Sequence, residues 1–273
     1  MAAQTPDRDV PRWLVPALLV VAALEVPWAI YLTVTQSDEA KAGYLRWAAA
    51  GLALGAWATA GMAAAGLLRR REWAAVPAVM GATLWLGMGV NGVIAAPVGS
   101  ARDFPALSIP LGLSIPATIA SGAVAAGVLS GRLRGRAAWL AAAALLVFPA
   151  LLTYVALTAP HMPNRTRVPN GAVSWDVLDA AEIALLVLTG LALWRRQART
   201  TLVAASAGLM LFTGDAFFNV VLTKGEAFEE SLVFLFIGEL PTAILCLISI
   251  RSALRLLNQP DTGPDLPTKG HIA

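Results

Sequence analysis

The sequence predicts an all-α fold, a polytopic transmembrane helical bundle of eight spans with N- and C-termini cytoplasmic. Three observations carry this. Hydrophobic residues make up 58% of the 273 residues and charged residues 14%, with a mean hydropathy of +0.68, well beyond a soluble domain of this length. The apolar residues gather into runs of about 20, the length that crosses a hydrocarbon core. The cations fall between those runs on alternate sides.

The first run, Trp13 to Val34, holds Glu25 and Pro27. It is too long for a secretion signal and lacks a small-x-small cleavage site, so a retained helix is expected. Leu45 to Leu68 and Ala74 to Ala96 follow, joined by Arg69-Arg70-Arg71-Glu72, a connection short enough for a tight hairpin. Ile109 to Ser130 and Ala137 to Thr158 are joined by Gly131 to Arg136, and Trp175 to Trp194 and Thr201 to Leu222 by Arg195 to Thr200. Ser231 to Ile250 completes the set. Small residues such as Ala48 to Gly51, Ala63 to Gly66 and Ala141 to Ala144 let helix backbones approach closely. Residues 1–257 read as one transmembrane domain and 258–273, with three prolines and mixed charge, as a disordered cytoplasmic tail.

Orientation follows from the cations, because short cytoplasmic loops carry the excess of Lys and Arg. With the N-terminus inside, the inner face collects Arg8, Arg12, Arg69 to Arg71, Arg132, Arg134, Arg136, Arg195, Arg196, Arg199, Arg251, Arg255 and Lys269. The outer face keeps Lys41, Arg46, Arg102, Arg165, Arg167 and Lys224. The net charge of +3 is thus a topological signal and gives no reason to expect a nucleic-acid partner. The outer loops, 36–44, 97–108, 159–174 and 223–230, are the longer ones and have room for a mouth. Asn164-Arg165-Thr166 matches a glycosylation sequon, but the Ala- and Arg-rich, Lys-poor composition resembles that of a high-GC bacterium. The expected location is the cytoplasmic membrane, with the lipid bilayer as partner.

Several chemistries lack their residues. Cys246 is the one cysteine, His161 and His271 lie in a loop and in the tail, and no lysine falls in a span. Paired-histidine haem ligation, cysteine or histidine metal sites and a retinal Schiff base are therefore not expected. Phosphate-binding glycine loops are missing too. No cofactor and no resident metal site is read from the sequence.

What the spans do hold is carboxylates. Glu25, Glu182, Asp215 and Glu239 sit inside apolar stretches with no Lys or Arg beside them, and charge in hydrocarbon is costly and usually functional. All four fall about eight or nine residues from the outer face, roughly 12 to 14 Å deep at the helical rise. Asp176 and Asp179 precede Glu182 at i, i+3, i+6, a ladder toward the outside with Asp179 as relay. Asp176 also suits a helix N-cap after Ser174-Trp175. Asn219 lies one turn from Asp215 on the same face, and Asn91 could join from the third span. Glu25-Val26-Pro27 and Glu239-Leu240-Pro241 repeat a Glu-x-Pro pattern in which proline frees the carbonyls of Ala23 and Ile237, giving hinges or hard-cation ligands. These two spans are not corresponding members of a four-plus-four arrangement, and no internal repeat is read from them. Trp13, Trp28, Trp73, Trp175 and Trp194 fall near span ends or in the outer half, as interface anchors do, with Trp28 one turn from Glu25.

Carboxyls at this depth must be neutralised by a proton or by a bound cation, so the two compete. That is the minimum machinery for exchange or proton-coupled transport, and oxygen-only ligands favour hard cations. The expected function is a membrane transporter or channel-like protein handling protons or a hard cation. The alternatives are an intramembrane enzyme on a lipid-like or isoprenoid small molecule, and a structural subunit whose acids hold helices together.

Gly214 to Asn219 followed by Glu239-Leu240-Pro241 resembles multi-pass membrane proteins of actinobacteria over the last quarter of the chain, a likeness that implies no activity. Leu24-Glu25-Val26-Pro27-Trp28 with Asp215 is similar to integral-membrane terpene cyclases, and implies a polyprenyl substrate protonated by paired buried acids. The eight spans depart from the seven usual in that family.

Overall fold

In a computed structural model, the described residues are 11, 13–35, 39–40, 45–94, 104–158, 168–169, 171–222 and 226–258. Side chains are described for 11, 13–24, 26–27, 51–94, 112–153, 173–221 and 228–258. Glu25 and Trp28 are thus placed by backbone only, and Asn164, His161, His271 and the tail beyond Asn258 lie outside the described residues.

Among the described residues the elements are helices, apart from one antiparallel pair of two-residue β strands. The helices are α1 (Leu14–Thr35), α2 (Leu45–Leu68), α3 (Ala75–Ile94), α4 (Phe104–Leu129), α5 (Arg136–Thr158), α6 (Gly171–Trp194), α7 (Ala198–Leu222), α8 (Glu226–Phe234) and α9 (Leu240–Leu257). A 3₁₀ turn, Glu72–Ala74, leads into α3, and a π-helical turn, Leu235–Glu239, joins α8 to α9. Seven helical segments are long and apolar enough to cross a membrane, the last being the composite rod Phe228–Leu257, and α1 adds the shorter apolar stretch Leu14–Leu24. This is a multi-pass membrane architecture.

Two sequence expectations are adjusted. The loops 36–44 and 159–174 meet in an antiparallel pair of β1 (Glu39–Ala40) and β2 (Val168–Pro169), with Glu39 opposite Pro169. Helix α6 begins at Gly171, so Asp176 lies in its second turn and is not an N-cap.

At the end opposite the β pair, three hairpins close the same way. The amide of Arg71 bonds the Gly66 carbonyl (2.9 Å) while Arg70 bonds Leu67 (3.0 Å). Arg132 and Gly131 do the same to Gly127 and Val128, and Gln197 and Arg196 to Ala192 and Leu193. This capping pattern puts one residue in the left-handed region. Gly131 occupies it at φ 68°, but Arg70 and Arg196 hold it at φ 55°. A side chain there costs on the order of 1 kcal/mol, so Arg70→Gly is expected to raise stability by about that much in a detergent unfolding titration. The arginines of these turns are exposed, and Trp13, Trp73, Trp139 and Trp194 are exposed near them, as headgroup-level anchors are.

The helices pack as two sets of four that repeat one pattern. Helix α1 lies along α6 as α2 lies along α5; α3 packs on α4 as α7 packs on α9; and α3 meets α7 where the sets join. The repetition extends to side chains. A Cβ on Gly81 of α3 would lie 3.3 Å from Thr59 Oγ1 of α2 and 3.6 Å from Ser121 Oγ of α4. A Cβ on Gly208 of α7 would lie 3.8 Å from Leu185 Cβ of α6 and 3.3 Å from Cys246 Sγ of α9. Arg70 and Arg196 hold the same turn position, and Ser114-Ile115-Pro116 in α4 stands where Glu239-Leu240-Pro241 stands at the head of α9. No repeat is read from the sequence, and α1 is not paired there with the last span; in the packing the counterpart of the last span is α4, with a serine in place of the glutamate.

Candidate functional site

The two sets differ in charge. Helices α2 to α5 contain no Asp or Glu, whereas α1, α6, α7 and the α8–α9 rod carry all five candidate acids. The core of the acidic set, including Leu14, Leu18, Leu186, Leu202, Phe212 and Ile250, lies toward the arginine end. The acids lie above it, toward the β pair.

Heights follow from the level at which Gly208 meets Leu185 and Cys246. Asp215 is seven residues further along α7 and Glu239 seven residues before Cys246, each about 10 Å above that level at the helical rise. Asp179 is six residues before Leu185, about 9 Å above it, and Glu182 only about 4.5 Å above. Leu18 and Leu19 pack on Gly190, which puts the backbone of Glu25 about 3 Å above the same level. The acids thus form two tiers, with Asp179, Asp215 and Glu239 in the upper and Glu182 and the Glu25 backbone in the lower.

The upper tier contains the tightest polar contact. Asn219 Nδ2 donates to Glu239 Oε1 at 2.6 Å, and the Asp215 carboxyl lies beside that of Glu239. The second Glu239 oxygen, Oε2, is buried without a hydrogen-bond partner among the described residues, as is Asp179 Oδ2. Asp179, Glu182 and Glu239 are 7%, 3% and 7% exposed, so each is held inside the protein rather than toward lipid. Glu182 lies within electrostatic reach of Cys246 and Asp179 of Asp176.

Local backbone explains why Glu239 meets Asn219. Pro241 cannot donate an amide hydrogen, and the helix adapts upstream of it by a π turn in which the Leu240 amide bonds Leu235, five residues back. Such a turn inserts one residue and re-aims the side chains beyond it. Pro27 lies inside α1 and Pro241 is at the start of α9, both exposed. Asn91 lies exposed on α3. Phe217 and Phe218 follow Asp215 as an edge-to-face pair, ring centroids 5.6 Å apart, with the Phe217 ring over Gly51 of α2. The i, i+4 spacing of Asp215 and Asn219 and the proline after Glu239 were the sequence signals for this seam, while the choice of Glu239 as partner had none.

Among the described residues no three His, Cys, Asp or Glu side chains group closely enough to hold a metal ion together. The seam offers two carboxyls and one amide. Two neighbouring carboxyls in an apolar layer can share one proton, so the pair has the chemistry of a proton-binding unit. Losing that proton would leave two adjacent negative charges in an apolar layer, a state that only a cation could stabilise.

No family model, curated protein or solved structure matches the chain.

Proposed function

We propose that this protein is an eight-span protein of the cytoplasmic membrane, with both termini cytoplasmic, that passes protons or a small hard cation through its acidic helix set. The Asp215–Asn219–Glu239 seam is the binding site, Asp179 the relay toward the β-pair side, and Glu182 with Glu25 the step toward the arginine side. The observation that carries the reading is the pair of neighbouring carboxyls, Asp215 and Glu239, braced by Asn219, with two tiers of acid above an apolar core and no Lys or Arg in those helices between Leu14 and Trp194 or between Thr201 and Ile250. A charged pair that only glued helices together would be expected to alternate sign; a set of acids alone exchanges protons.

The test is flux in proteoliposomes holding a pH-sensitive dye, under an imposed gradient. Asp215→Asn and Glu182→Gln should each cut proton or cation flux at least tenfold while the variants remain monodisperse. Wild-type flux in both would reject the reading. An intramembrane enzyme acting on a lipid or isoprenoid is the second reading, supported by the Phe217–Phe218 pair beside Asp215. It requires Asp215→Asn to abolish turnover of an isoprenyl substrate by wild-type protein that shows no flux.

A further inference from the structure

The acid-free set carries a different kind of site. Between α3 and α4 lies a cavity of about 350 Å³ lined by Trp85, Leu86, Gly89, Ser114, Thr118 and Ile119 among others. A second cavity of about 350 Å³ adjoins it through Leu86 and Thr118 and continues toward Leu129 and Val203. The space has a structural origin. Gly89 and Ser114 face each other, a Cβ on the glycine lying 3.2 Å from the serine Cβ, and Ser114 holds in this set the place of Glu239 in the other.

The cavity is apolar except for two hydroxyls. Ser114 is 1% exposed, and Ser114 Oγ and Thr118 Oγ1 are buried without a hydrogen-bond partner among the described residues. Hydroxyls elsewhere in the bundle avoid that cost by donating to the carbonyl four residues earlier, as Thr83, Thr189 and Ser249 do at 2.7 to 3.0 Å. Thr201 and Ser206 also lack partners, but they line neither cavity. One turn apart on α4, Ser114 and Thr118 present two donors about 5 to 6 Å apart at Cβ. The ligand they fit is uncharged, apolar in bulk and able to accept hydrogen bonds, which describes a carbonyl compound.

Depth selects among carbonyl compounds. Within the span Ile109 to Ser130, Thr118 lies about 14 Å from the outer end, near the middle of a hydrocarbon core, and Ser114 about 8 Å from it. A phospholipid keeps its ester carbonyls at the edge of that core because its charged headgroup stays in water. A molecule that places a carbonyl at mid-depth must have no charged headgroup. We infer that the α3–α4 cavity binds a neutral, headgroup-free carbonyl lipophile of the isoprenoid-quinone class, its carbonyl oxygens accepting from Ser114 and Thr118 and its tail lying along the adjoining cavity toward Leu129. This inference stands apart from the proton or cation reading, which concerns the other helix set.

The full chain in detergent is titrated with a dimethoxybenzoquinone bearing a decyl tail, following tryptophan fluorescence, which Trp85 at the cavity wall makes sensitive to an adjacent quinone. Saturable quenching is expected. Ser114→Ala/Thr118→Val should weaken it at least tenfold, two hydrogen bonds each contributing a few fold. Ile119→Trp, a change at a residue 65% exposed and outside the core, should also weaken it by filling the groove. Quenching that does not saturate, equal affinity in the hydroxyl-deleted variant, or displacement of the quinone by equimolar decylbenzene or by phosphatidylglycerol would each overturn the assignment.

Discussion

Replacing Asn219 with leucine is expected to lower the unfolding free energy by about 2 kcal/mol. An interhelical hydrogen bond in a membrane contributes on average about 0.6 kcal/mol, but this one is short, at 2.6 Å, and its acceptor is a buried carboxyl whose other oxygen has no partner among the described residues. Removing the donor leaves Glu239 less satisfied in a layer with no water to replace the amide. The cost should therefore sit well above the average, and steric change contributes little because leucine is close to asparagine in shape. A double-mutant cycle with Glu239→Leu separates the contact from the side chains. The double variant should be more stable than the two single losses predict, because the unsatisfied acceptor goes with the donor. Strict additivity in a detergent unfolding titration would show that Asn219 and Glu239 do not interact.

A larger loss is expected from one methyl group in the α2–α3 hairpin. A Cβ on Gly66 would lie 2.7 Å from Ala74 Cβ, 3.0 Å from Ala74 Cα and 3.1 Å from Trp73 Cζ3. Ala74 is fully buried and its amide bonds Arg71, while the Gly66 carbonyl accepts from Arg71, so the backbone that would have to move is the turn itself. Gly66→Ala should cost about 3 kcal/mol, the upper part of the overpacking range. Gly61 lies in the same helix with nothing within 4 Å of its Cβ position, and Gly61→Ala should be neutral or stabilising by up to about 1 kcal/mol from helix propensity. Equal shifts for the two would mean that the close approach of α2 to Ala74 is not what makes Gly66 necessary.

The apolar runs made the helices legible in the sequence, because hydrophobic length is what a bilayer selects, and the arginine turns came with them. Asp179, Glu182 and Glu239 were also legible as acids without countercharge, and all three are buried. Partner choice was not. A span that is apolar on every side gives no periodic stripe to say which face meets a neighbour, so nothing announced that α1 lies along α6 or that α3 joins α7. Asp215 and Asn219 could be placed on one face from their spacing, but the residue opposite them depends on a π turn that hydropathy does not register. The start of α6 at Gly171 moved Asp176 inward because Gly-Ala-Val continues a helix once Val168 and Pro169 are tied to Glu39 and Ala40 by the β pair. The repetition of the two sets was written in short signals, the arginine at the left-handed turn position and the x-Pro step after Ser114 and Glu239, too brief to outweigh the charge contrast between the halves.

The π turn at Leu235–Glu239 also shifts angular phase. One extra residue advances every later side chain by about 100° around the axis, so Ser231 before the turn and Thr242 and Ser249 after it, which an uninterrupted helix would stack on one face, are turned onto different faces and are buried on both. A single rod can thereby address one set of neighbours near the β pair and another near the arginines. Glu239 sits at the hand-over between the two, where a small rewinding of the rod would swing its carboxyl from one audience to the next.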